Sequence, residues 1–274
     1  METIEKKVAA HYGDNELLNR ILSGLELNGV DLNAVETDDL VPCEEFHIGG
    51  RLATEFAVNE MQLTNKQHVL DVGCGIGGAV RYIAKQVGCK VSGIDLTPEY
   101  ISVAKALTKL TRLDSNVNFD VASALDMPFE NAAFDAAITL HVAMNIKERS
   151  KLYDETFRVL KPGAVFCLFD VMQTSDEPLT YPVPWAVSDE TSHLTTPSEM
   201  QRLLEASGFS LLSVIDRKDF ALDFFQQKLA AKNPNQALGL HTIMIENGAE
   251  KLKNIKENIE KGCVSPVQMI AVRN

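Results

Sequence analysis

Positive charge is scarce in this chain. Lysine and arginine number 26 against 38 aspartates and glutamates, a formal net charge of −12. A protein that grips a nucleic-acid backbone presents an excess of Lys and Arg on one face. No such run is present, and an acidic chain is likewise repelled by anionic membrane surfaces. Cysteine pairs are missing too. Cys43, Cys74, Cys89, Cys167 and Cys263 are odd in number and none falls in C-x-x-C spacing. That argues against a disulfide framework or a zinc site, leaves no metal expected, and makes a reducing cytoplasm the expected compartment. No apolar run reaches the length of a bilayer span. Met1–Ala10 carries Glu2, Glu5, Lys6 and Lys7 without an apolar core, so it does not read as a signal peptide. Internal repeats and low-complexity tracts are absent, and there is a single tryptophan. What remains is an ordinary globular composition, 45% hydrophobic and 23% charged over 274 residues. It is enough for one large domain with a full core.

The apolar pattern divides the chain near residue 60. Residues 1–60 read as a polar, mostly helical cap, with Leu17, Leu18, Ile21, Leu22 and Leu25 at helical spacing and a loop from about Asn28 to Pro42. From 61 to 274 short apolar runs alternate with helical stretches. Strands are expected at His68–Val72, Lys90–Asp95, Asn116–Val121, Phe134–Leu140, Ala164–Asp170, Ser210–Ile215 and Val267–Val272. A proline-bearing loop insertion spans about 172–196. Two helical stretches, about Asp219–Lys232 and Gln236–Lys261, form an excursion before the last strand. Such alternation implies an α/β fold, a doubly wound sheet with helices on both faces.

An apolar strand running through a glycine cluster into a helix is the physical core of a nucleotide site. Glycine lets the backbone approach a ligand, and the helix start presents free N–H groups. Gly73, Gly75 and Gly78 fit the dinucleotide spacing G-x-G-x-x-G, and Asp95 follows at a distance suited to a ribose hydroxyl. Asp71 distinguishes the ligands. Two residues before the first glycine, its carboxylate would repel a pyrophosphate and attract an ammonium or sulfonium.

Four segments in order carry a family resemblance. Asp71-Val72-Gly73-Cys74-Gly75-Ile76-Gly77 resembles the D-x-G-x-G-x-G loop of class I S-adenosylmethionine-dependent methyltransferases. Gly93-Ile94-Asp95-Leu96-Thr97 resembles their second-strand motif, Leu125-Asp126-Met127-Pro128-Phe129 with Phe134-Asp135 the L-P-F…F-D segment, and Arg158-Val159-Leu160-Lys161-Pro162-Gly163 the R-V-L-K-P-G turn. Phe46-His47-Ile48-Gly49-Gly50 with Ala53-Thr54 is similar to a segment of the sarcosine-dimethylglycine enzymes, and the ubiquinone-menaquinone methyltransferases are also similar. The resemblance implies S-adenosylmethionine as cofactor. It implies a seven-stranded sheet in the order 3-2-1-4-5-7-6 with the last strand antiparallel. It also implies cofactor contacts from Tyr12, His47, Asp71, Gly73, Gly75, Gly77, Asp95, Leu96, Ser123, Ala124 and Leu125. Where many relatives carry an Asp for the adenine amino group, this chain has Ser123.

His141 and Asp170 end the fourth and fifth strands, where a doubly wound sheet opens its ligand crevice. Resemblance suggests both as acid–base candidates; as local structure they would be a satisfied loop histidine and a turn cap. Tyr181 and Trp185 lie in the inserted loop, either lining an acceptor pocket or anchoring the loop. The expected activity is methyl transfer to a small-molecule acceptor (amine, hydroxyl or quinol-like carbon), with no nucleic-acid partner and no membrane insertion. Oligomerisation is not indicated. A nicotinamide-dependent dehydrogenase and a non-catalytic cofactor-binding module remain the alternatives. The first leaves Asp71 unexplained, and the second is untouched by the motifs.

Overall fold

A computed structural model describes residues 16–230, 237–244 and 246–274. Seven strands form one sheet: β1 (His68–Val72), β2 (Lys90–Asp95), β3 (Val117–Val121), β4 (Phe134–Leu140), β5 (Leu160–Gln173), β6 (Phe209–Asp216) and β7 (Val264–Arg273). Their order is β3-β2-β1-β4-β5-β7-β6. The first five strands pair in parallel. β7 runs antiparallel to both neighbours, with Val165 opposite Val272 on one side and Phe209 opposite Arg273 on the other. Strand order reverses between β1 and β4, so a crevice opens beyond their carboxyl ends.

The central strands β1 and β4 are short apolar runs because both faces are covered, whereas the edge strands β3 and β6 keep exposed positions. Along β1 the side chains alternate: Val69 packs on one side with Ala57, Met61, Val80 and Ile83. Leu70 and Val72 pack on the other with Leu152, Leu160 and Met200. The first layer comes from α3 (Gly50–Met61) and α4 (Gly78–Val87) with part of α5 (Pro98–Leu110); the second comes from α6 (Arg149–Val159) and α7 (Pro197–Ala206). Helix limits follow local chemistry. Pro98 and Pro197 sit at first-turn positions. The Thr196 hydroxyl accepts the Glu199 N–H at 3.2 Å. Gly88 ends α4 at φ 74°.

The N-terminal helices α1 (Leu17–Leu27) and α2 (Thr37–Glu44) pack Leu17, Ile21, Leu40 and Cys43 against Tyr100, Val103 and Leu107 of α5. The expected loop up to Pro42 is corrected here, because its second half is helical. Glu36 and Asp39 cap each other's backbone N–H groups and start the helix. Pro42 lies inside it, and the helix ends two residues later. The excursion before β7 also differs. α8 (Lys218–Ala230) forms as expected, but the second helix, α9 (Gly248–Lys261), starts at Gly248. Leu240–Thr242 makes only a single 3₁₀ turn. Between them Gly239, Asn247 and Gly248 disfavour a continuous helix. The fifth strand is longer than expected, reaching back through Pro162 and Gly163 to Leu160. No described helix is long and apolar enough to cross a membrane.

Candidate active site

The loop after β1 is shaped by three glycines with left-handed backbone: Gly73 at φ 80°, Gly75 at φ 55° and Gly77 at φ 85°. Their spatial roles differ. A side chain at Gly73 would run into Val142, and one at Gly77 into Phe119 and Arg81. A Cβ at Gly75 would meet nothing within 4 Å, and Gly75 lines an open cavity. The loop is sewn to β2. Gly73 and Cys74 N–H donate to the Ile94 carbonyl at 2.8 and 2.9 Å. Asp95 accepts the Gly75 N–H at 3.0 Å on one oxygen and the Thr97 N–H at 2.8 Å on the other. The Thr97 side chain and the Leu96 backbone add further hydrogen bonds to this carboxylate.

The cavity holds about 1290 Å³, counting its open mouth. Asp71, Asp95 and Glu45 stand on its wall. Asp71 is buried, and burial, with Glu45 and Asp95 adding repulsion, pushes its carboxyl up to about 8. Asp95 is also raised by burial, against the N–H groups of Thr97 and Gly75. Burial alone would raise Glu45 as well. The hydrogen bond and charge of His47, with Arg51, outweigh it and hold Glu45 at about 2. The wall therefore concentrates negative potential where a cationic group would relieve it.

The carboxylates of α2 and the segment after it are braced from behind. Fully buried Arg81 donates to Glu44 at 2.6 Å, to the Ile76 carbonyl at 2.8 Å and to Thr108 at 3.1 Å. It thus ties α2, the glycine loop and α5 together. Arg51 bridges Glu44 at 2.6 Å and Glu45 at 2.8 Å.

His47 and His141 close the far end, ring centroids 5.9 Å apart. The His47 Nε2 lies 3.0 Å from Glu45 and 3.1 Å from the Thr54 hydroxyl, which itself donates to Glu45 at 2.8 Å. Nε2 therefore carries a proton, shared between two acceptors. His141 leaves β4 with φ 57°, a left-handed conformation that favours glycine. Its backbone N–H donates to the Phe169 carbonyl at 2.7 Å, and its Nδ1 lies 3.2 Å from the same oxygen. Since a carbonyl only accepts, Nδ1 holds the proton and Nε2 the lone pair. That lone pair receives the Ile48 N–H at a long 3.4 Å. Burial, and then His47, push His141 down to about 3, so its ring is neutral at physiological pH. Both histidines also line a second cavity beyond them.

The family model described as a methyltransferase domain matches residues 70–168, which run from β1 through β5. Those residues carry the glycine loop, Asp95 and His141, inside the strand order just described. Over residues 70–168 the chain is similar to methyltransferase domains. Among curated proteins, ajmaline N-methyltransferase of Rauvolfia serpentina is 37% identical over 102 residues, 37% of this chain and 35% of that protein. The match thus spans about a third of that relative's length. A geranyl diphosphate C-methyltransferase structure from Streptomyces coelicolor A3(2) aligns at TM-score 0.67 and 18% identity, covering 81% of this chain and 80% of that one. The [4+2]-cyclase SpnF aligns at 0.69 and 19%, covering 94% and 93%. At such identities the likeness is one of fold.

Within that stretch, Asp71, Gly73, Gly75, Asp95, Leu96, Ser123, Ala124 and Leu125 all line the first cavity, as do His47 and His141. Ser123 accepts the Leu125 N–H at 3.1 Å. Gly77 stands apart: it does not line the cavity and serves the close packing at the start of α4. Asp170 lines neither cavity. One of its oxygens takes the Val171 N–H at 3.1 Å, the other has no hydrogen-bond partner among the described residues, and burial raises it to about 7. Tyr12 lies outside the described residues. Cys74 is held as a thiol by burial and packs beside Gly93. Glu45 was not among the expected site residues. Its signal was spacing: a carboxylate two residues from a histidine, followed by Arg51 and Thr54 on the next helix.

Proposed function

We propose that this chain transfers the methyl group of S-adenosylmethionine to a small-molecule acceptor. The observation that carries the reading is a pair of cavities that share Phe46, His47 and His141 in their walls, one lined by the glycine loop and carboxylates, the other apolar. The donor set fits the cofactor. Asp71 and Glu45 favour an ammonium and a sulfonium. Asp95 accepts ribose hydroxyls, and Leu96 and Ser123–Leu125 flank the base. Gly75 leaves room for close approach. The same three carboxylates oppose a dinucleotide pyrophosphate.

When bound, S-adenosylmethionine supplies an electrophilic methyl carbon on sulfur, and displacement there requires alignment more than side-chain chemistry. The chain contributes that alignment and a place for a proton. A hydroxyl acceptor sheds its proton as the oxygen–carbon bond forms. His141 Nε2, neutral and at the junction, takes it by releasing the Ile48 N–H. The proton would leave a positive charge on His141, beside the carboxylate-lined wall of the first cavity. Asp170, lining neither cavity, is left as a support of the β5 end.

Small-molecule acceptors, rather than nucleic acid, agree with the acidic balance. We place the chain in the cytoplasm on its buried, unpaired cysteines, and treat residues 1–60 as a cap on the domain at 61–274. Because the [4+2]-cyclase shares the fold, the site and not the fold must decide the reaction. A radiolabelled-methyl screen of amines, phenols and quinols tests it. Label in an acceptor is the expected result. Tight cofactor binding with no transfer to any acceptor would establish a non-catalytic module, and protection by NADH a dehydrogenase.

A further inference from the structure

The second cavity, about 520 Å³ counting its open mouth, lies between the Phe46–Ile48 segment, the Pro184–Trp185 loop, α8 and α9. Its wall is aromatic and sulfurous, with Trp185, Phe224, Phe225, Met144 and Met244. Among the described residues that line it there is no Lys, Arg, Asp or Glu. The polar options are few. The Trp185 indole N–H is spent on the Ser192 hydroxyl at 3.0 Å, so the loop presents only a ring face. The His47 Nε2 proton belongs to Glu45 and Thr54, and the His141 Nδ1 proton to Phe169. Two ring nitrogens of the described lining have only long, readily exchanged contacts: His141 Nε2, 3.4 Å from the Ile48 N–H, and His47 Nδ1, 3.5 Å from the Ile48 carbonyl.

We propose, on the methyl-transfer reading above, that the acceptor is a neutral, largely apolar molecule whose nucleophilic heteroatom is its one polar handle, placed against His141. A carboxylate or phosphate would enter a wall that offers no cation among its described residues. A buried charge without a partner is strongly disfavoured. It would also face Asp71, Glu45 and Asp95 through the junction. A protonated amine finds no carboxylate among the described lining residues and has no lone pair to react, so an amine acceptor binds neutral. The flexible methionines let the wall adapt to different ring or isoprenoid shapes.

Trp185 is the single tryptophan of the chain, so its fluorescence reports occupancy of this cavity whether or not methyl transfer occurs. The full chain is titrated with citronellol and with citronellate, a pair alike in size and free of ultraviolet absorption. Citronellol should shift the emission saturably, and citronellate should bind roughly tenfold more weakly or worse. Equal affinity, or no response to citronellol, overturns the proposal. Leu252→Lys, at a partly buried lining position, places a cation in the wall and should narrow or reverse the preference. If this variant misfolds, the ligand pair on the unaltered protein decides alone. Calorimetry with S-adenosylmethionine runs in parallel. Discrimination between the two ligands without cofactor binding would sink the methyl-transfer reading and leave the cavity assignment standing, whereas cofactor binding with equal affinity for the pair would do the reverse.

Discussion

Gly73 and Gly75 separate folding from ligand binding within one loop. Both have left-handed backbone, so alanine at either position carries a conformational cost of about 1–2 kcal/mol. Their surroundings then divide them. At Gly73 the new methyl collides with Val142, which adds overpacking of about 1–3 kcal/mol. Gly73→Ala should therefore lose roughly 2–5 kcal/mol of stability, a large part of the margin of a domain. At Gly75 the methyl stands in open space on the cavity wall. Gly75→Ala should keep its fold with only the backbone cost. It should weaken S-adenosylmethionine binding roughly 5- to 150-fold, the equivalent of crowding a closely approached ligand by about 1–3 kcal/mol. Urea denaturation reads the first quantity and calorimetry the second. A Gly75→Ala protein that binds cofactor as tightly as the parent would show that the ligand does not approach this loop.

Other consequences can be checked separately. With a hydroxyl acceptor, His141→Ala should lower turnover by roughly 10²–10⁴ with cofactor affinity nearly unchanged. Because His141 is pushed down to about 3, no loss of activity attributable to its protonation should occur above about pH 4; steady-state pH profiles of parent and variant test both. Asp71, raised to about 8, binds more protons folded than unfolded between roughly pH 4 and 8. Its contribution to stability of the ligand-free chain should thus fall as pH rises through that window. A cationic ligand should bind more tightly across the same rise and release a proton below pH 8, visible as buffer-dependent heats. Arg81→Met leaves Glu44 with Arg51 as its remaining guanidinium and removes the buried bonds to Ile76 and Thr108, and should cost about 1–3 kcal/mol in denaturation.

The sheet was legible because its central strands are apolar runs buried on both faces and bounded by glycine, proline and polar turns, while the edge strands β3 and β6 keep exposed positions. Asp71 and the glycine loop were legible because one turn of backbone holds them together, and Asp95 because it ends the next strand, so their spacing survives in the sequence. The order 3-2-1-4-5-7-6 came from resemblance, and the pairing of β7 with β5 and β6 agrees with it. Pro42 and the surrounding acidic residues hid α2, because propensity did not register the reciprocal cap at Glu36 and Asp39. The acceptor cavity left almost no local trace. Met144, Trp185, Phe225 and Ile255 sit on four separate elements, and only folding brings them around one space. The left-handed turn at His141 was equally invisible, since neighbouring contacts with Phe169 and Ile48 hold it there.

The central claim is that the Asp71–Gly75–Asp95 wall holds S-adenosylmethionine. Calorimetric titration of the full chain and of Asp95→Ala with S-adenosylmethionine and with NADH addresses it most directly. The account predicts saturable binding of S-adenosylmethionine, a loss of about 1–3 kcal/mol in the variant from the missing charge-assisted hydrogen bonds, and no heat from NADH. An intact fold that gives no heat with S-adenosylmethionine, or an Asp95→Ala variant with an unchanged dissociation constant, would contradict it.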